Sequence, residues 1–474
     1  MCRDHAALSR TTGAGLTRRQ TQRGRSPLEH IEWQLNRFRE APGRPAIIWR
    51  DREYTYGELE ECYRDWLDRL RAAGVQAGHS VAVLSDFSPG AVSCLLALLK
   101  LRCVLVPLSP EARDQHREFF AIAELDHRVE IGEDDRGDVI RMRNRRGHPL
   151  LQQLRAADKA GLVLFSSGST GQPKAVLHSL PELLNKFRKP RHCYRTLVFL
   201  LFDHIGGFNT LFYTLANLGC VVVAEDRGVA SVCAVIEKHR VELLPISPSF
   251  LNLLLLSGAI DSYDLSSLAL ITYGTEVMPE RTLKMANKAF PGVRFLQTYG
   301  LSELGILRSK SESDHSLRMK IGGEDYETRV VEERLFIRAR SSMLGYLNAP
   351  SPFDDEGWFD TGDSVVQEGD YLRILGRESD IVNVGGQKVY PAEVEQVIAE
   401  MDGVIDVAVK GEAHLLLGQV VTATVQMADP IQAVRMRKRI AAHCKGRLQK
   451  FMVPVKVSVV AEGQVNHRFK KIRR

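Results

Sequence analysis

From about residue 45 onward, short apolar runs alternate with stretches whose apolar positions recur at helical spacing. AIIW, the helical YGELEECYRDWLDRLRAAG, VAVLS, a helix through AVSCLLALLKL, and VLVPL follow one another in that order. The order is βαβαβ, which predicts a parallel sheet with helices on both faces. A polar, arginine-rich segment at 132–158 interrupts the pattern. A second series resumes at GLVLFSS and runs through CVVVAED, ELLPIS and LALITYG. We read it as a second parallel unit of the same large domain. After about residue 376 the texture becomes strand, helix, strand, strand, helix, through VYPAEVEQVIAE, IDVAVK, QVVTATVQM and the basic IQAVRMRKRIAAHCKGRL. That is the pattern of a small α+β domain, and the polar GRESD before it is a natural boundary. The expected fold is therefore α/β: a leader at 1–26, a large N-terminal domain of parallel sheets flanked by helices at 27–378, and a small mobile C-terminal α+β domain at 379–474.

Composition supports more than one core, since 474 residues at 44% hydrophobic and 26% charged exceed the roughly 150 residues typical of one domain. The 37 glycines and 19 prolines show no repeat that would suggest a fibrous or solenoid protein. Part of the net charge of +6 sits in RTTGAGLTRRQTQRGR, which has no hydrophobic pattern and reads as a disordered leader rather than a nucleic-acid arm. Runs such as LVFLLF and LNLLLL fall well short of the ~20 residues of a membrane span, and no signal-peptide core precedes them. These features predict a soluble, cytoplasmic protein with no membrane span and no nucleic-acid partner. The eight cysteines are scattered, without a CxxC pair or a histidine cluster at metal spacing, so free thiols are expected.

The most informative segment is GLVLFSSGSTGQPKAV, an apolar strand followed by Ser166, Ser167, Gly168, Ser169, Thr170, Gly171, Gln172, Pro173 and Lys174. Small residues let backbone amides and hydroxyls wrap a polyphosphate, and the lysine adds positive charge. The GxxxxGK[ST] spacing of a Walker loop is absent. Downstream, QTYGLSELG follows an apolar strand and presents Thr298, Tyr299, Gly300, Ser302 and Glu303. ITYGTE before it presents Gly274, Thr275 and Glu276, and GWFDTGD presents Asp363. A carboxylate such as Glu303 suits a hard cation like magnesium.

In these segments and their order, across roughly residues 45–474, the chain resembles the adenylate-forming superfamily of acyl-CoA synthetases, peptide-synthetase adenylation domains and firefly luciferase. The resemblance implies ATP-dependent activation of a small-molecule carboxylic acid to an acyl-AMP, then transfer to the thiol of CoA or of a carrier-protein phosphopantetheine. It assigns the loop from Ser166 to Lys174 to the phosphates and Tyr299 to the adenine. Gly274, Thr275 and Glu276 become a further wall of the ATP site, and Glu303 becomes the Mg2+ ligand. Asp363 and Arg377 would hold the ribose. Ser379 takes the hinge position, where the family usually has Asp or Lys, and Gly385, Gly386 and Lys388 would line the thiol channel. In VFLLFDHIGGFNTLF, His204 would gate the carboxylate while Gly207, Phe208 and Phe212 border an apolar acid pocket. Ile205, where amino-acid-activating members carry aspartate, disfavours an amino acid. The catalytic set is thus Lys471, Glu303, Thr170 and His204. The tail VNHRFKKIRR departs from the family's Thr-Gly-Lys ending, which makes Lys471 the expected catalytic lysine and Lys470 its neighbour in register. Carrier loading through the basic helix around Arg435, Arg437, Lys438 and Arg439 remains an alternative, as does a non-catalytic adenylate-binding protein.

Overall fold

The computed structural model describes residues 29–142, 147–167, 172–427 and 433–460. Two seven-stranded sheets carry the large domain. In one, Ser80–Leu84, Val104–Leu108, Gly161–Ser167 and His127–Ile131 run parallel, with antiparallel strands added at the edges. In the other, Pro45–Trp49, Cys220–Val222, Arg195–Leu197, Leu243–Ile246, Leu270–Tyr273 and Arg294–Gln297 run parallel.

The opening βαβαβ series is therefore divided between two sheets. Pro45–Trp49 pairs with Cys220–Val222, placing Ile47 opposite Val221, and not with Ser80–Leu84. The second series is divided too, because Gly161–Ser167 joins the first sheet beside Val104–Leu108. Element type follows from local pattern, but sheet membership depends on which strand offers a partner at long range.

Both sheets are covered on two faces, so their strands are apolar on both sides. Ile47, Val81 and Val83 point into a central core shared with helices Tyr56–Ala72, Pro89–Lys100 and Ile205–Ala216. Their neighbours Ile48 and Ala82 point the opposite way, into two outer cores. The result is a layered body with a helical layer sandwiched between the sheets. Local chemistry sets the helix ends. Thr55 and Glu58 form a reciprocal capping box on Tyr56–Ala72, and Ser88 and Ser247 each cap a helix that begins with proline.

The stretch from 309 to 377, not resolved into elements by its pattern, forms a six-stranded antiparallel sheet around Met319, Leu335, Ile337 and Leu372. Beyond the short turn Glu378–Asp380 comes a separate five-stranded sheet. Helices Pro391–Ala399 and Ala433–Cys444 pack with it on a core of its own. This small unit contacts the large one: Asn252 Nδ2 donates to the Ile405 carbonyl at 2.7 Å, and Gln396 Nε2 donates to Glu280 at 3.4 Å.

Candidate active site

A cavity of about 330 Å³ opens where the carboxyl ends of parallel strands from both sheets converge, the usual ligand position in α/β folds. Ser166 reaches it from the strand Gly161–Ser167. Ile246, Thr272, Gly274, Thr275 and Thr298 reach it from the second sheet, and Gly300, Ser302 and Glu303 from the following loop. Arg377 closes one side and His204 another. A larger cavity of about 1250 Å³ lies between helix Tyr56–Ala72 and the hairpin His127–Arg141 and shares no residue with this site. We place the chemistry in the smaller one, because the strand ends and the motif residues meet there.

The strands Gly161–Ser167 and Pro173–Ser179, on either side of residues 168–171, pair antiparallel. Ser166 faces Lys174 across the antiparallel register, and the Lys174 ammonium lies 4.9 Å from the centre of the Tyr346 ring. Gly168, Ser169, Thr170 and Gly171 fall outside the described residues, as do Lys470 and Lys471, and nothing bears on the side chain of Ser167.

Glu303 is anchored from two sides. Tyr346 donates to its Oε1 at 2.7 Å, and its backbone carbonyl accepts from the Met343 amide at 2.7 Å. Behind it, buried His178 donates Nε2–H to the Ser302 carbonyl at 2.6 Å. Burial pushes the His178 pKa down, so the ring acts as a neutral strut. Neither His178 nor Tyr346 was singled out in the sequence. His178 closes the strand Pro173–Ser179, and its position just past the loop was the available signal.

Asp363 and Arg377 are cross-strand partners in the antiparallel sheet, with Arg377 Nε 3.4 Å from Asp363 Oδ1. The buried Tyr299 hydroxyl donates to Asp363 Oδ2 at 2.5 Å. Burial pushes the Asp363 pKa up, opposed by the Arg377 charge and the Tyr299 hydrogen bond. Tyr299 is enclosed among Leu304, Leu335 and Phe359, and it braces Asp363 rather than presenting a ring face to the cavity.

His204 is the N-cap of helix Ile205–Ala216. Its Nδ1 accepts from the Gly206 amide at 3.1 Å, which leaves Nε2 as the protonated nitrogen of a neutral ring. Gly207 is needed for packing: an added Cβ would stand 2.0 Å from the Leu201 carbonyl oxygen. Phe208 and Phe212 are buried in the central core, pointing away from the cavity. The helix instead lines it with Gly206, Asn209 and Thr210. Asp203, on the other side of the histidine, is committed to Ser109, whose hydroxyl donates to it at 2.9 Å. Glu276 also turns from the cavity and accepts from the Ser249 hydroxyl at 2.6 Å.

In the small domain, Gly385 and Gly386 form the turn of the hairpin Val382–Val389, both at positive φ (56° and 85°), where a side chain would be strained. Lys388 and Ser379 are exposed, and the Ser379 hydroxyl bonds to Asp380 at 3.1 Å. None of these four lines the cavity. No described helix is long and apolar enough to cross a membrane, and the cysteines at 62, 94, 103, 193, 220, 233 and 444 are free.

The chain belongs to the AMP-binding enzyme family, whose model matches residues 35–346 and whose C-terminal domain matches residues 393–470. Among curated relatives, indoleacetate–CoA ligase of Aromatoleum aromaticum is 26% identical over 92% of this chain and 95% of its own. The 2-succinylbenzoate–CoA ligase of Enterococcus faecalis is 24% identical over 93% and 98%. In fold, the chain is similar to o-succinylbenzoate CoA synthetase of Bacillus subtilis, solved with its acyl-adenylate intermediate, at TM-score 0.75 and 21% identity over 93% of this chain and 96% of that one.

Proposed function

We propose that this protein activates a carboxylic acid with ATP, releasing pyrophosphate to form an acyl-AMP, and then transfers the acyl group to the thiol of CoA. The observation that carries the reading is the convergence of Ser166, Glu303, Arg377 and His204 on one cavity at the strand ends of a chain from this family. ATP lies with its phosphates toward Ser166, the loop to Gly171 and Lys174, and with its ribose toward Arg377 and Asp363. The base rests against Gly274, Thr275 and Thr298.

Among the described residues no group of three or more His, Cys, Asp or Glu is placed to hold a metal. Magnesium does not require one, because it binds through one or two carboxylates and substrate phosphates. Glu303, fixed by Tyr346 and directed at the cavity, fits that demand and would hold the ion, which would neutralise phosphate charge.

His204 orients the acid's carboxylate for in-line attack on the α-phosphorus; the bond to pyrophosphate breaks as the acyl–phosphate bond forms. Lys471 supplies charge at the pentavalent centre. Thiol attack on the acyl carbon then expels AMP, after the small domain turns about Ser379 and brings Gly385, Gly386 and Lys388 to the site.

The test is incubation with ATP, Mg2+ and a panel of acids, with either CoA or a carrier protein, reading pyrophosphate, acyl-AMP and thioester by mass spectrometry. Acyl-CoA from at least one acid is expected. Acyl-carrier without acyl-CoA would move the acceptor assignment to a carrier protein, and ATP binding with no turnover would leave an adenylate-binding protein.

A further inference from the structure

A second recess of about 170 Å³ adjoins the cavity and shares Asn209, Thr210, Thr298 and Ile306 with its lining. Its walls are partly apolar, as expected for an acyl site, with Leu243, Leu270 and Leu296 among them. Three cations also line it: Lys186, Arg191 and Arg308. No aspartate or glutamate lines the recess among the described residues.

Lys186 is held in place by neutral acceptors. Its ammonium donates to Asn209 Oδ1 and to the Ile306 carbonyl, each at 2.6 Å. Burial, together with the neighbouring charges of Arg308 and Arg191, lowers its pKa to about 7. Lys186 and Arg308 are half-buried and Arg191 is exposed; with no carboxylate on the same lining, each positive charge raises the cost of the others. An anion entering the recess would relieve that cost.

We propose that this recess reads a second anionic group on the acyl substrate, so that the preferred acids are small and carry a carboxylate or similar oxyanion at the end remote from the reacting carboxyl. The inference rests on the adenylation reading above. His204 lines the cavity and Lys186 the adjoining recess, and Asn209 and Thr210 of one helix line both. The recess is smaller than the ~300 Å³ lower bound of drug-sized pockets, which restricts the acyl part to a short chain or a single ring. A monoacid would leave three cations facing its apolar tail.

The experiment compares matched pairs on the full chain, pentanoate with glutarate and hexanoate with adipate, by pyrophosphate release. The expected result is a kcat/KM at least ~10-fold higher for the diacid of a pair, because a site built for a polar group rejects the analogue that lacks it. Lys186→Met should reduce the diacid-to-monoacid ratio by a similar factor, and Arg308→Gln, at a partly exposed position, should do so even where the lysine variant folds poorly. A preference for monoacids, or variants that lower both members of each pair equally, would overturn the proposal and leave Lys186 as a structural post for Asn209 and Ile306. Activation of no acid, with ATP binding intact, would overturn the adenylation reading and this inference with it.

Discussion

Asp363 and Arg377 face each other across neighbouring antiparallel strands, 3.4 Å apart, and the Tyr299 hydroxyl holds the other carboxylate oxygen. The carboxylate is thus fixed in place, and on the proposed reading that would lower the ordering cost of binding two ribose hydroxyls. Asp363→Ala should raise the dissociation constant for ATP at least tenfold, since hydrogen bonds to a charged acceptor are worth roughly 1.5–3 kcal/mol each. Calorimetric titration with ATP checks this, and an unchanged affinity removes Asp363 from the nucleotide site.

Glu303→Gln keeps volume and the Tyr346 contact but removes the charge that would hold magnesium. Acyl-AMP formation should be lost while the melting temperature stays near that of the parent. Tyr346→Phe should be milder, roughly tenfold in rate, because only the orientation of the carboxylate is relaxed. Comparable loss in both variants would point to a structural role for Glu303.

Replacing Gly386 with phenylalanine adds bulk at a turn with positive φ and open space around it. Transfer from supplied acyl-AMP to CoA should fall sharply, with little change in pyrophosphate release. Gly386→Asn, which tolerates that backbone conformation better, separates bulk from strain. Equal loss in both half-reactions would make the hairpin structural.

Lys471→Ala should slow adenylation by ~10²–10³-fold, as for other single electrostatic donors to a transition state, and leave thioester formation from preformed acyl-AMP nearly intact. Lys470→Ala is the control for register. A large defect in Lys470→Ala alone would shift the assignment by one residue, and full activity in both would exclude the tail from catalysis.

Outside the antiparallel sheet of residues 309–377, the strands and helices were legible because their periodicities are strong: Tyr56–Ala72 and Ser80–Leu84 lie where the apolar pattern puts them. Their sheet membership was not, since Ile47 could bury equally well against either partner and the choice is made at long range. Ser166, Thr298, Glu303 and Arg377 were legible through motifs and do converge. Phe208 and Phe212 were read as pocket residues because aromatic side chains on a site-bordering helix suggest apolar lining, yet the helix turns that face into the core. Lys186 was invisible for the opposite reason: a lysine in LLNKFRKPR looks like surface charge until folding places it beside Asn209.

His204 serves the cavity and caps its own helix through one ring. Removing an N-cap typically costs about 1 kcal/mol, so a change at this position carries a stability burden whatever it does for substrate choice. Diversification of the acid accepted would therefore be channelled into the next turn, at Asn209 and Thr210, where the same cavity can be reshaped without uncapping the helix. A library randomised at those two positions, with His204 left alone, is the shorter route to new acyl selectivities on this scaffold.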